Sequence, residues 1–255
     1  MKSIIKAMIK DGKVESYARW LVKRSRGLRM PFNLVKDEIY DRQAFEVMGR
    51  VLKPESCCVD IGCHKGQFLD EYIRCSPNGT HYAFEPIPYL YEQLVENYKS
   101  SRVFNYALSD KSGEASFFIL PDKPALSGLN ERESIQKGLP REKITIRTER
   151  LDEVIPPDVK IDYIKIDVEG AEGLVIAGAL DTIKRNKPFV VLEHGEDSSL
   201  LFGMTSGDIY DMLVTQCGLN ISLLADWLSN KPSLTKHEFS SQRGCWYFLA
   251  HPLGN

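Results

Sequence analysis

The sequence predicts an α/β fold in which a largely parallel sheet is covered by helices on both faces, and three observations carry that expectation. Short apolar, β-rich runs alternate with helical stretches from about residue 55 onward, which is the rhythm of successive βαβ units. Glycines follow the first of these runs directly, in Val59-Asp60-Ile61-Gly62-Cys63-His64-Lys65-Gly66. Carboxylates stand where later runs end, at Glu85, Asp167 and Glu193. In a doubly wound sheet, ligands bind at the carboxyl ends of the strands.

Composition narrows the class. Of the 255 residues 43% are hydrophobic and 27% charged, the balance of a packed globule rather than a disordered or fibrous chain. A net charge of -2 supplies no field to draw in a nucleic-acid backbone, so a small or neutral substrate is expected and nucleic acid is not. The stretch from Lys2 to Arg29 is the exception, strongly basic against only Asp11 and Glu15. It reads as a solvated helix packed on the main domain, with a basic amphipathic face for peripheral membrane contact as the alternative. No apolar run reaches transmembrane length and lysines break the N-terminal apolar groups, so neither a membrane span nor a signal peptide is expected and the location is read as cytoplasmic. The six cysteines show no CxxC pair or other zinc spacing, which predicts reduced structural thiols and no metal site.

Taken in order, residues 1–52 read as a helical extension interrupted at Pro31, with Ile39, Phe45, Val47 and Met48 as an apolar face. The break at Lys53-Pro54-Glu55 opens a second domain, 53–255. Its strands are expected at 57–61, 81–85, 103–107, 161–166, 189–193, 220–225 and 245–250, the last two forming a pair at one edge. Helices are expected at 67–74, 89–98, 172–185 and 208–217. The rhythm changes between 114 and 148. There two β-rich runs, Glu114–Leu120 and Ile144–Thr148, flank a Pro- and Gly-bearing stretch, read as an extra antiparallel pair whose long loop serves the substrate.

Chemistry concentrates at three strand ends. In Asp60-x-Gly62-x-x-x-Gly66 the glycines let the backbone approach a ligand, the following helix start offers N–H groups to an anion, and Asp60 accepts from an ammonium or hydroxyl. Those features fit an amino-acid-bearing nucleoside such as S-adenosylmethionine, although a plain tight turn has the same signature. Glu85 lies about 25 residues beyond Asp60, the spacing at which a carboxylate meets ribose hydroxyls. A dinucleotide site uses the same residue, so a nicotinamide-dependent oxidoreductase stays open, but GxGxxG is absent and position 64 is His. The third end is Ile164-Lys165-Ile166-Asp167-Val168-Glu169-Gly170-Ala171-Glu172. Strand alternation puts Lys165, Asp167 and Glu169 on one side if the chain stays extended, either as a functional cluster or as a salt-bridged strand end with Glu172 at the next helix start.

These blocks, with Ala83-Phe84-Glu85-Pro86, Asn105-Tyr106-Ala107-Leu108-Ser109-Asp110 and Leu151-Asp152, fall in order over roughly residues 50–195. In them the chain resembles the FkbM-type methyltransferases. The resemblance implies a class I methyltransferase fold, a seven-stranded Rossmann-like sheet, and methyl transfer from S-adenosylmethionine to a hydroxyl of a sugar, glycolipid or other small molecule. It implies that Asp60, Gly62 and Gly66 hold the methionine end, Glu85 the ribose, and Asn105, Ala107 and Leu108 the adenine. Cys63, His64 and Lys65 depart from the usual small or apolar filling of the first loop, with His64 either touching the cofactor or facing solvent.

A hydroxyl nucleophile must lose its proton as it attacks. Asp167, Glu169, Glu193 and His194 are the candidate groups, joined by Lys165 as a charged neighbour. Carboxylates at neighbouring strand tips also suit a divalent cation, a less favoured alternative. A cofactor-binding protein without catalysis is the third reading.

Overall fold

The strands lie where the apolar runs are, and their lateral order is set by how the chain returns to the sheet. A computed structural model describes residues 32–130, 138–242 and 247–253. The chain divides into two compact units, Met1–Arg42 and Gln43–Asn255, and the architecture below is that of the second. The expected helix through residues 1–31 and the break at Pro31 lie outside the described residues. The helix Phe32–Val51 places Val47 and Met48 in the core and leaves Ile39 exposed.

In chain order the strands are β1 (Cys58–Ile61), β2 (His81–Phe84), β3 (Arg102–Phe104), β4 (Ala107–Leu108), β5 (Gly113–Ile119), β6 (Glu142–Glu149), β7 (Tyr163–Ile166), β8 (Phe189–Glu193), β9 (Asn220–Leu223) and β10 (Tyr247–His251). Seven of them form one sheet in the order β3-β2-β1-β7-β8-β10-β9. The first five of that order run parallel, and β10 inserts antiparallel between β8 and β9. All residues of β1, β2, β7 and β10 are buried, as two-sided helical cover requires of apolar strands.

Alternation assigns the faces. Val59, Ile61, Phe84, Ile164, Ile166, Val190 and Leu192 join Val175, Ile176 and Ile183 in one apolar cluster. On the other face Tyr72, from the helix Gln67–Cys75, meets Tyr163 and His81 at ring separations of 5.7 Å each, and Phe45 meets Phe68 at 5.1 Å. Each fully buried side chain of this size contributes about 1.5–3 kcal/mol, which fixes the register and with it the strand ends.

Several expectations are corrected. The third strand stops at Phe104, because the Asn105 side chain turns to donate to Glu85 O and Pro86 O at 3.0 and 3.1 Å. Ala107 and Leu108 then pair with β6 in a second sheet, β4-β6-β5, so the inserted antiparallel pair becomes three strands. The helix expected at 172–185 is two, Glu172–Ala177 and Leu180–Asn186. The chain between them passes so close to Ser109 that a Cβ at Gly178 would collide with its carbonyl oxygen. Helix 208–217 begins as Ser206–Tyr210 behind a Thr205–Asp208 capping box and widens into a π-helix over Asp211–Gln216. The strand expected to reach residue 225 ends at Leu223, where the helix Leu224–Leu228 starts. Of the last strand, the start near Cys245 lies outside the described residues.

Candidate active site

The carboxyl ends of β1, β2 and β7 meet at one open cleft. Its floor is the glycine loop. Gly62 takes a left-handed φ of 76°, and a Cβ there would collide with the Asp167 carbonyl oxygen, so only glycine lets β1 and β7 close together at their tips. The N–H groups of Gly62 and Cys63 both donate to Phe84 O, at 3.1 and 3.2 Å, which ties the loop to β2. Gly66, also left-handed at 83°, caps the helix Gln67–Cys75.

Glu85 follows β2 and is buried. Its two oxygens accept from backbone N–H groups, Oε2 from His64 and Oε1 from Ile87, both at 2.9 Å. Burial pushes its carboxyl up to about 7, against the pull of those two donors. Asn105, expected beside an adenine, is outside the cleft lining and instead fixes the Glu85–Pro86 backbone. Ala107 and Leu108 do line the cleft.

Asp60 alternates to the face opposite Ile61, in register with Lys165, and sits beneath the loop rather than in the lining. Its carboxylate is buried with neither oxygen hydrogen-bonded. Burial raises it to about 6, with Lys165 opposing. Lys165 Nζ stands 3.7 Å from Asp60 Oδ1 and 3.2 Å from Asp167 Oδ2, and it donates to Gly62 O at 3.1 Å. Burial works against its charge, but Asp167 and Asp60 outweigh it and hold the ammonium protonated.

Asp167 faces the cleft. Burial alone would raise its carboxyl; Lys165, Glu193 and Tyr247 reverse that and hold it below the ordinary value. The expected alternation fails immediately beyond it. β7 ends at Ile166, and Glu169 and Gly170 take φ of 62° and 110°. Glu169 nevertheless lines the cleft. Glu172 accepts from Val168 and Gly170 N–H at 3.3 and 2.9 Å, which cinches this bend and supports the structural reading of that residue. Burial lifts it to about 7.

Three of the residues considered for catalysis lie outside the lining: Lys165, which sits beneath the loop, Glu193 and His194. Glu193 stands behind Asp167 and shares a hydrogen bond with it. His194 is buried, with Nε2 2.7 Å from Ser206 Oγ and Nδ1 3.1 Å from Ser199 Oγ, its ring stacked on Phe239 at 5.4 Å. Burial depresses it to about 4. The geometry makes His194 a packed element of the wall after β8. His64 does reach the cleft, where burial and the nearby Lys65 and Lys165 charges hold its ring below the ordinary imidazole value. The opposite wall comes from the expected antiparallel pair and its loop: Phe117, Pro124, Ala125, Ser127 and Leu129 enclose the cleft from the inserted sheet. The loop is ordered by a Phe118–Gly128 bridge and by Leu120 N–H donating to Ser127 Oγ at 3.0 Å.

Among the described residues the lining carries Glu85, Asp167 and Glu169 and neither Lys nor Arg. Such a lining favours a cationic ligand, so its residues fit S-adenosylmethionine, with its sulfonium and ammonium. Among the described residues no three His, Cys, Asp or Glu side chains converge as ligands for a metal ion.

The family model described as the methyltransferase FkbM domain matches residues 60–220, a span that begins at Asp60 and takes in Glu85, Asp167 and Glu193. The chain belongs to the FkbM methyltransferase family. It is 29% identical over 206 residues to the 2-O-methyltransferase NoeI of Sinorhizobium fredii, covering 74% of this chain and 81% of that protein. A second relative, the AMB antimetabolite synthetase AmbE of Pseudomonas aeruginosa, is 27% identical over 231 residues, which are 75% of this chain and 10% of AmbE. The fold is that of the FkbM methyltransferase crystal structure from Methylobacillus flagellatus, at a TM-score of 0.50 and 16% identity over 78% of this chain and 44% of that one. The FkbM methyltransferase described here is thus a class I α/β enzyme, and among its described residues no helix is long and apolar enough to cross a membrane.

Proposed function

We propose that this FkbM methyltransferase moves the methyl group of S-adenosylmethionine to a hydroxyl oxygen of a small molecule, sugar, glycan or glycolipid. The observation that carries the reading is the acid-lined cleft, with Glu85 and Asp167 at the tips of β2 and β7 and no lysine or arginine among its described lining residues. The likeness to a protein named as a 2-O-methyltransferase supports oxygen as the acceptor atom. When bound, the cofactor supplies an electrophilic methyl for in-line displacement, and the protein's task is alignment and proton handling.

Glu85 holds the ribose hydroxyls, because a carboxylate accepts from two neighbouring donors. Ala107 and Leu108 give the adenine an apolar wall, and Asn105 acts by fixing Glu85–Pro86. Gly62 and Gly66 admit the methionine end, where His64, the one side-chain N–H among the described lining residues, serves its carboxylate. Asp60 adds negative charge beneath that loop. Asp167 takes the proton of the acceptor hydroxyl, with Glu169 beside it to orient the acceptor. We assign residues 53–255 to this transferase domain, 1–52 to an N-terminal extension, and the reaction to the cytoplasm.

Calorimetry separates this reading from its rival. S-adenosylhomocysteine should bind and NAD should not; the reverse pattern removes the proposal. The acceptor is then found by mass spectrometry of products from labelled cofactor and a pool of hydroxylated metabolites and glycans. The affinity carries a pH signature as well. Glu85 ionises near 7 in the unliganded protein, so S-adenosylhomocysteine should bind more tightly at pH 8 than at pH 6. Glu85→Gln should weaken binding about tenfold at pH 8 and flatten that dependence. An unchanged pH dependence in the variant would remove Glu85 from the ribose site.

A further inference from the structure

Behind Asp167 stands a set of groups that the cleft itself does not expose. Tyr247 lies on β10 directly opposite Glu193 on β8, and β8 adjoins β7. The Tyr247 hydroxyl donates to Asp167 Oδ2 at 3.1 Å, the same oxygen that Lys165 Nζ approaches at 3.2 Å. Glu193 is hydrogen-bonded to Asp167. Donors on β7 and β10 and the Glu193 carboxyl on β8 thus converge on Asp167, and of these four groups only Asp167 lines the cleft.

We infer that Tyr247 and Glu193 are positioning residues for the methyl transfer proposed above, holding the Asp167 carboxylate charged and turned toward the acceptor hydroxyl. The inference rests on that reading of the cleft. Two carboxyls in hydrogen-bond contact do not both ionise. Burial and the Asp167 charge push Glu193 well up, so the shared proton resides on Glu193, which donates, and Asp167 accepts.

As the acceptor oxygen forms its bond to the methyl carbon, the carbon–sulfur bond breaks and its electron pair stays on sulfur, leaving S-adenosylhomocysteine. The hydroxyl proton passes to Asp167. A weakly basic carboxylate suffices, because an alcohol oxygen becomes strongly acidic as it is alkylated. What the base must do is remain deprotonated and aimed, which is what the three donors secure. The other titratable groups facing this pair are Asp60 from β1, His64 from the glycine loop, and Glu169 and Glu172 from the bend after β7.

Carboxyl-¹³C NMR titration of the full chain without ligand tests the arrangement. In the wild type, Asp167 should titrate well below Glu193; the opposite order overturns the inference. Tyr247→Phe keeps the ring and removes one donor, so the Asp167 midpoint should rise by about one pH unit. Glu193→Gln keeps an N–H donor and should leave that midpoint near the wild-type value. In transfer of labelled methyl into a pool of monosaccharides and glycolipids, Tyr247→Phe should lower kcat about tenfold. It should also move the acid limb upward in pH, with S-adenosylhomocysteine affinity unchanged by calorimetry. A Tyr247→Phe protein with wild-type midpoint and acid limb overturns the inference. Failure of the wild type to bind S-adenosylhomocysteine would instead overturn the methyltransferase reading, and the midpoints in the unliganded protein would stand apart from it.

Discussion

Asp167→Asn should lower kcat for methyl transfer by about 10²–10³ while leaving S-adenosylhomocysteine affinity within about threefold. The substitution preserves shape. The amide oxygen still accepts from the Tyr247 hydroxyl, now 3.1 Å from Asp167 Oδ2, and from Lys165. It does not take up a proton, so the acceptor hydroxyl loses its base while the rest of the cleft is intact. The two cofactor forms should then part company. S-adenosylhomocysteine carries an uncharged sulfur and loses little, whereas S-adenosylmethionine loses one favourable charge interaction and binds somewhat more weakly. Transfer measured with labelled cofactor, together with calorimetry on both forms, checks this. A kcat within threefold of wild type would remove Asp167 from the chemistry.

That Asp167 and Glu85 were legible in the sequence has a physical cause. A buried parallel strand tolerates no unpaired charge within it, so a carboxylate at the end of an apolar run marks the place where the chain leaves the sheet and meets a ligand. The same logic located Gly62 and Gly66, and it gave all seven strands of the main sheet to within a few residues. It failed where a contact joins residues distant in the chain. Asn105 reads as a polar residue inside the strand expected at 103–107, and nothing local says that its amide pins Glu85 and Pro86. Tyr247 sits in an apolar run, 80 residues from the Asp167 it contacts, and its role arises only because β10 turns back antiparallel beside β8. Alternation misplaced Glu169 in principle, since it presumes extended backbone and Glu169 is left-handed; the residue reaches the cleft by the bend instead. His194 shared the strand-end signal with Glu193, but two serines and an aromatic stack claim it, and a periodicity argument contains no information about those partners.

Lys165 shows that a charge can stand within such a strand when its partners stand there too. It is the one lysine or arginine buried among the described residues, and it faces Asp60, Asp167 and, through the latter, Glu193. Lys165→Met keeps the stem and its contact with the Phe68 ring, 5.1 Å from the ammonium in the wild type, while removing the charge. The cost at pH 8 should be about 3–5 kcal/mol, the usual consequence of stranding buried carboxylates without their cation. Its pH dependence follows from linkage. Without Lys165 the folded-state values of Asp60 and Asp167 both rise above their unfolded values, so each contributes stability that is fully present below about pH 4 and is lost as pH rises through the folded value. Asp60 already stands at about 6 with Lys165 in place, so in the variant the loss extends to higher pH. Urea unfolding should therefore show a small deficit near pH 4.5 that widens steadily toward pH 8. A deficit equal at both ends would mean that Lys165 contributes through packing of its stem alone, and the buried charge network would lose its role in holding the tips of β1 and β7 together.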